Sequence, residues 1–144
     1  MEKELSEPFV IDSVIKWLKK KGYDTELIVN WEGTGVDISV RHNLYPEYFF
    51  VEAKGETPNR LDYFLTALGQ IITRIFTPPN SEPNSVRRYA IAFPKSYSTI
   101  AFRRVSWELS KKLNLEILLV NEKGEVDEKT WEDLKKLDLY REIT

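Results

Sequence analysis

The order of its periodic segments is the feature that most constrains the fold of this 144-residue chain. Residues 36–42 alternate strictly between apolar and polar side chains, which is typical of a strand with one buried face. β-Branched and aromatic residues also dominate 25–31 and 48–54, and short turns separate the three segments. Because short connections favour antiparallel pairing, the sequence predicts a three-stranded meander.

Segments with helical periodicity flank this meander on both sides. The first helix is predicted over 6–21, with Ser6 as its N-cap and Gly22 at its end. A longer helix is predicted over 59–76, where apolar residues recur at helical spacing. The remaining predicted elements are a proline-rich loop at 77–86, a strand at 88–93, a helix at 97–113, a strand at 115–120, a turn at 122–125 and a helix at 128–139.

This order predicts an α/β fold in a single domain over residues 1–144. A meander followed by a β-α-β crossover produces a mixed sheet, and the helices cover both of its faces. The predicted core is α-β-β-β-α-β, and it is extended by a further helix, a strand and a C-terminal helix.

Composition excludes several classes of protein. The chain has no cysteine and a single histidine, His42, which excludes disulfide frameworks and thiolate metal clusters and disfavours a Ser-His-Asp triad. Its 21 basic and 23 acidic residues give a net charge of −2, without the basic excess typical of nucleic-acid-binding domains. No apolar run approaches the roughly 18 residues of a membrane span, and no signal-peptide core is present, so we expect a cytoplasmic protein.

Three charged residues lie on the predicted meander where folding does not require them. Glu52 and Lys54 are two residues apart on the third strand and therefore point to one face. Asp37 lies near the start of the neighbouring strand, where a regular hairpin register can place it beside Glu52. Two adjacent carboxylates cost free energy unless a cation joins them, and oxygen ligands favour a hard ion such as Mg²⁺. An exposed cross-strand salt bridge is the alternative interpretation.

The sequence around these residues, together with the predicted order of helices and strands, resembles a known protein family. Gly35-Val36-Asp37 and Val51-Glu52-Ala53-Lys54 lie within the predicted α-β-β-β-α-β order. This combination resembles the PD-(D/E)xK, or restriction-endonuclease-like, nuclease superfamily over roughly Pro8 to Val120. The resemblance implies that Asp37 and Glu52 bind Mg²⁺, for which Mn²⁺ can substitute, with the Ala53 carbonyl as an extra ligand. It also implies that Lys54 orients or activates the attacking water and stabilises charge on the phosphate.

Two further residues match accessory features of that superfamily. Glu7, on the inward side of the first helix, is a candidate third acidic ligand, although an acid in a first turn also complements the helix dipole. Gln70, on the second helix, resembles a glutamine that belongs to the catalytic site of many members. The residue four positions later is Arg74 and not the tyrosine of that pattern, and a solvated polar face is the alternative interpretation of Gln70.

The predicted function is that of a Mg²⁺-dependent nuclease acting on DNA, including single-stranded or branched DNA, without an organic cofactor. A homodimer is implied by the resemblance alone. Phosphate contacts need local and not net positive charge. The alternatives are a nuclease-like fold that binds nucleic acid or protein without cutting it, and a structural domain with incidental charges. The arginines predicted to contact nucleic acid are Arg41, Arg60, Arg74, Arg103 and Arg104, with scattered surface positions as the alternative.

Overall fold

The computed structural model describes residues 5–26, 37–76 and 84–143. No helix within these ranges combines the length and hydropathy needed to cross a bilayer. A 3₁₀ turn at Lys95–Tyr97 joins the fourth strand to the third helix. The elements are α1 (Glu7–Lys20), β1 (Tyr23–Asp24), β2 (Ile38–His42), β3 (Glu47–Ala53), α2 (Arg60–Phe76), β4 (Val86–Pro94), α3 (Ser98–Arg104), α4 (Trp107–Leu113), β5 (Leu115–Val120), β6 (Val126–Lys129) and α5 (Trp131–Ile143).

The strands form one six-stranded mixed sheet in the order β1-β2-β3-β4-β5-β6. The pairs β3–β4 and β4–β5 are parallel, and the other three pairs are antiparallel. The carboxyl ends of β3, β4 and β5 therefore share one edge of the sheet, where β2 begins. The predicted α/β class, with a mixed sheet flanked by helices, is confirmed.

Alternation along β3 separates two hydrophobic cores. Phe49, Val51 and Ala53 pack with Val10, Val14 and Leu18 of α1 on one face of the sheet. Phe50 packs with Phe64, Ala67 and Ile71 of α2 on the other face, where α3 and α5 also contribute side chains. Glu52 has the parity of Phe50 and therefore projects towards the α2 face.

The first helix begins where the sequence predicts. The Ser6 hydroxyl accepts a hydrogen bond from the backbone N–H of Phe9 at 3.3 Å, and Pro8 lies in the first turn. The second and third strands of the predicted meander, the helix at 59–76 and the strands at 88–93 and 115–120 agree with the structure to within two residues.

The prediction of one helix over 97–113 is wrong, because the segment breaks into α3 and α4. Val105 has extended backbone angles (φ −110°, ψ 109°) and turns its side chain into the core. Ser106 then caps α4 by accepting a hydrogen bond from Leu109 N at 3.1 Å. A serine that binds a free N–H group favours a helix start over a helix interior, so the break follows from local chemistry.

Two further boundaries differ from the prediction. The last helix begins at Trp131 and not at 128, because residues 126–129 form the edge strand β6. That strand reads Val-Asp-Glu-Lys, and its polar composition hides the alternation that would reveal it. The structure has a strand, β1, at Tyr23–Asp24, and residues 25 and 26 of the strand predicted at 25–31 lie outside it. Residues 27–36 lie outside the described part of the chain, so the rest of that prediction stays a prediction. Residues 77–83 of the predicted loop lie outside the described part too.

A cluster of acids surrounds Arg88 on the α1 face of the sheet. The guanidinium of Arg88 lies 2.5 Å from Glu116 Oε1, 2.9 Å from Glu128 and 3.8 Å from Glu47. Glu116 is buried, and its second oxygen has no hydrogen-bond partner. Burial and the neighbouring Glu128 raise the pKa of Glu116 to about 8 despite the opposing charge of Arg88. One arginine thus faces three carboxylates.

We expect this cluster to make stability fall as the pH rises from about 5 to 8. The pKa of Glu116 in the folded state exceeds its ordinary value of 4.5, so the folded state binds more protons than the unfolded state in that interval. The free energy of unfolding therefore decreases as the pH rises and Glu116 loses its proton. The expected fall is on the order of 2 kcal/mol in the free energy of unfolding. Urea unfolding of wild type and Glu116→Gln at several pH values measures it. Parallel pH profiles for the two proteins would contradict this prediction.

Candidate functional site

The sheet register brings Asp37 to the side of Glu52. Ile38 pairs with Val51 across the antiparallel β2–β3 ladder. Asp37, which precedes Ile38, therefore lies opposite Glu52, which follows Val51. One carboxylate oxygen of Asp37 accepts a hydrogen bond from the backbone N–H of Ala53 at 2.8 Å. The end of β3 thereby holds the Asp37 side chain in a fixed position.

The carboxylate of Glu52 is buried, and one of its oxygen atoms has no hydrogen-bond donor. Its side chain is 3% exposed, and its Oε2 atom has no hydrogen-bond partner. Burial, followed by the negative charge of Asp37, raises the pKa of Glu52 to about 8, while Lys54 acts in the opposite direction. A buried carboxylate without a donor costs free energy, which protonation or a nearby positive charge reduces.

Lys54 supplies part of that charge. Its Nζ atom lies 3.9 Å from Glu52 Oε1, at the outer limit of a salt bridge, and the side chain is 18% exposed. Its backbone N–H donates to the carbonyl of Ala92 at 3.0 Å, which extends the β3–β4 pairing beyond Ala53. The lysine therefore has a fixed backbone and a side chain that reaches both the carboxylate pair and solvent.

The start of α1 packs directly against the end of β3. A Cβ atom at Gly55 would collide with the backbone N of Glu7 and lie 2.8 Å from the carbonyl carbon of Ser6. The backbone N–H of Glu56 donates to the carbonyl of Leu5 at 2.7 Å. The hydroxyl of the fully buried Tyr97 donates to the Gly55 carbonyl at 2.8 Å. Sequence reasoning missed these supports, although a glycine directly after Lys54 is a local signal for close backbone approach.

This packing brings Glu7 towards the carboxylate pair. Burial and the negative charge of Asp37 raise the pKa of Glu7, and Lys54 opposes them. Within the described ranges, however, no three His, Cys, Asp or Glu side chains converge closely enough to form a metal-binding group. Glu7 thus interacts electrostatically with Asp37 and Lys54 without completing a cage of three carboxylates.

Gln70 lies on α2, which packs against the sheet face that carries Glu52. Its Oε1 atom is buried without a hydrogen-bond partner. Among the residues that the structure describes, no hydrogen bond links Gln70 to Asp37, Glu52 or Lys54. Its predicted catalytic role therefore stays a prediction.

The five predicted arginines lie at separate places. Arg60 is bound to Glu56 at 2.7 Å, beside the segment that follows Lys54. Arg41 lies near the far end of β2 and donates to the His42 carbonyl at 2.7 Å. Arg74 lies in the last turn of α2, and Arg103 and Arg104 lie exposed in the last turn of α3. Of this set, Arg60 stands beside the end of β3 in the described structure.

Together these features define an α/β protein with a buried glutamate, a partly buried aspartate beside it and a lysine at one sheet edge. No protein-family model and no curated protein matches the sequence. The chain is similar to the crystal structure of an XisH family protein from Nostoc punctiforme PCC 73102 (20% identity, TM-score 0.57). It is equally similar to that of an fdxN element excision controlling factor protein from Anabaena variabilis (22% identity, TM-score 0.57).

Both comparisons cover 85% of this chain and 98% of the other chain. At such low identity the likeness concerns the fold alone, so any activity has to be argued from the residues of this chain.

Proposed function

We propose that this protein is a Mg²⁺-dependent nuclease that hydrolyses phosphodiester bonds, with DNA as its substrate. The observation that carries the proposal is the buried Oε2 atom of Glu52, which lacks a hydrogen-bond partner and belongs to a carboxylate beside Asp37. A divalent cation would satisfy both carboxylates, and their hard oxygen atoms favour Mg²⁺, or Mn²⁺ in its place.

In this proposal Asp37, Glu52 and the carbonyl of Ala53 hold the ion. When bound, the ion supplies a Lewis acid that polarises a phosphoryl oxygen and lowers the pKa of a water molecule. Lys54 places its ammonium beside Glu52, where it orients the attacking water and stabilises the negative charge that develops on the phosphate. The N–H of Ala53 holds the carboxylate of Asp37, which limits the rearrangement needed to bind the ion.

A nuclease-like fold that binds nucleic acid or protein without cutting it is the second candidate. One observation favours it: in the described part of the chain, Glu7 does not join Asp37 and Glu52 in a metal-binding group of three acids. One structural neighbour also bears the description of a controlling factor. The two candidates differ in whether phosphodiester cleavage accompanies binding.

Metal binding is tested by thermal and urea unfolding with Mg²⁺, with Mn²⁺ and with EDTA. We expect saturating metal to stabilise the wild type by about 2.7 kcal/mol when the free ion is at roughly 100 times its Kd. Asp37→Asn and Glu52→Gln are expected to lose this stabilisation because each removes a charged ligand. Without metal and above about pH 8, where Glu52 is ionised, Glu52→Gln is expected to be at least as stable as wild type, since it removes one of two adjacent like charges.

Glu108→Gln provides the matched control, because Glu108 lies in the first turn of α4 and not in the segments that carry Asp37 and Glu52. It is expected to respond to metal as the wild type does.

The same proteins are then incubated with labelled single-stranded, duplex, flap and four-way-junction DNA. Cleavage with Mg²⁺ that both site variants abolish supports the nuclease. Metal binding without cleavage of any substrate supports the second candidate. An equal metal response in the wild type, Asp37→Asn and Glu52→Gln would contradict metal binding by Asp37 and Glu52.

A further inference from the structure

A cavity of about 490 Å³ opens at the sheet edge that carries the candidate site. Its floor is apolar and consists of Leu5, Pro94 and Val120, all of them buried. Pro94 and Val120 end β4 and β5, so the cavity lies at the carboxyl ends of parallel strands, where ligands of open α/β sheets bind. Glu56, two residues after Lys54, forms part of its wall.

Lys95, Ser96, Lys123 and acidic residues form the rim of this cavity. Burial opposes ionisation of Glu56, but hydrogen bonds from Ser96 and Arg60 outweigh it and lower the pKa of that carboxyl group. Neither lysine forms a salt bridge with a residue in the described ranges. Two ammonium groups are thus available for an anionic ligand.

Two further acids, Glu122 and Glu125, also line the cavity. The carboxylate of Glu125 accepts a hydrogen bond from the side-chain amide of Asn121 at 3.2 Å. The lining thus carries three acidic residues and two lysines, so its net charge is slightly negative. A ligand suited to it has an apolar body for the floor and a small number of anionic groups within reach of the two lysines.

An unpaired nucleotide has this chemistry. Its base presents an apolar face, and its flanking phosphates are anionic. The cavity volume falls within the roughly 300–1,000 Å³ of pockets that enclose a single small ligand. A pocket of this size has room for one unstacked nucleotide.

The position of Lys95 connects the cavity to the candidate site. Ala92, whose carbonyl binds the N–H of Lys54, precedes Lys95 by three residues, a distance of roughly 10 Å along an extended strand. The backbones of Lys95 and Lys54 therefore lie close together at this edge of the sheet. The Glu56–Ser96 hydrogen bond joins the two segments that carry these lysines.

We infer that this cavity holds an unpaired nucleotide of the substrate next to the scissile phosphate, with the base on the apolar floor and neighbouring phosphates at Lys95 and Lys123. This inference rests on the proposed nuclease function and specifies its substrate class. The substrate is then DNA with a single-stranded region at the point of cleavage, such as a flap or a frayed end, and not a continuous duplex.

The test measures fluorescence anisotropy of labelled oligothymidine and of a blunt duplex, with Ca²⁺ replacing Mg²⁺. Lys95→Ala/Lys123→Ala is compared with wild type and with Lys19→Ala/Lys20→Ala, which removes two exposed charges at the opposite end of α1. We expect the cavity variant to bind the single strand about tenfold more weakly and the control to change by about twofold or less. The slope of log binding constant against log salt concentration is expected to become smaller in magnitude by about 1.4 for the single strand, since each phosphate contact contributes about 0.7 to that slope.

Equal loss of affinity in the cavity and control variants, or wild-type preference for the duplex, would overturn the inference. The proposed function is measured separately, by cleavage in Mg²⁺. If the wild type cuts DNA and the cavity variant binds single strands normally, the inference fails and the nuclease stands. If the wild type cuts nothing and the cavity variant alone loses single-strand affinity, the nuclease fails and the nucleotide site stands.

Discussion

Replacing Lys54 with alanine is expected to lower the rate of Mg²⁺-dependent DNA cleavage by about two to three orders of magnitude. The ammonium lies near Glu52 at 3.9 Å, where the proposed reaction develops negative charge on the phosphate. Because the interaction matters in the transition state, we expect kcat to fall much more than KM changes. The measurement is steady-state cleavage of a labelled flap or single-stranded DNA.

Metal binding separates this effect from damage to the site. Removal of the positive charge of Lys54 leaves the two carboxylates intact, so stabilisation by Mg²⁺ is expected to persist in Lys54→Ala. Lys16→Ala, at an exposed position of α1, is the matched control and is expected to cleave as the wild type does. Cleavage by Lys54→Ala at the wild-type rate, with Asp37→Asn inactive, would remove the lysine from the mechanism. Loss of both cleavage and metal binding would assign it a structural role.

Replacing Gly55 with alanine is expected to destabilise the protein by about 2–3 kcal/mol. The added Cβ would collide with backbone atoms at the start of α1, and backbone cannot rotate away as a side chain can. Relief of the clash would displace α1 from the end of β3 and strain the hydrogen bond between Glu56 and Leu5. Urea unfolding measures the loss of stability, and cleavage assays measure the accompanying loss of activity.

Gly69→Ala is the matched control for this substitution. Gly69 lies exposed within α2, and nothing lies within 4 Å of the position a Cβ atom would take. Alanine at such a position is expected to stabilise the helix by up to about 1 kcal/mol, because glycine loses more conformational entropy. The two substitutions add the same methyl group and are expected to have opposite signs. Destabilisation of similar size in both would show that the close approach at Gly55 carries no specific cost.

Much of the fold follows from local patterns in the sequence. The strict alternation in 36–42 predicts the strand that the structure has at Ile38–His42, and the apolar spacing over 59–76 predicts the helix at Arg60–Phe76, since each depends on short-range periodicity. Ser39, on the polar side of this strand, is buried as well, so the strand does not have a single buried face. Ser106 illustrates the limit of this reasoning. A helix over 97–113 and a break at Ser106 both satisfy the apolar pattern, and the capping bond to Leu109 together with burial of Val105 decides between them.

Edge strands are harder to predict from periodicity. Three of the four residues of β6 are charged, so the strand depends mainly on its hydrogen bonds to β5 and little on its own composition. The candidate nucleotide cavity also depends on contacts between segments that are distant in the chain. Leu5, Pro94 and Val120 are distant in the chain. The parallel pairing of β4 and β5 brings Pro94 beside Val120, and the hydrogen bond from the Glu56 N–H to the Leu5 carbonyl holds Leu5 at the same edge.

The sequence by itself determined which residues carry the candidate chemistry, because Glu52 and Lys54 share a face through the two-residue period of a strand. Tertiary structure decided what surrounds them. The pairing of Ile38 with Val51 places Asp37 beside Glu52, burial leaves one oxygen of Glu52 without a partner, and Gly55 admits the start of α1. Register, burial and backbone approach depend on contacts between distant segments, which a local pattern does not specify.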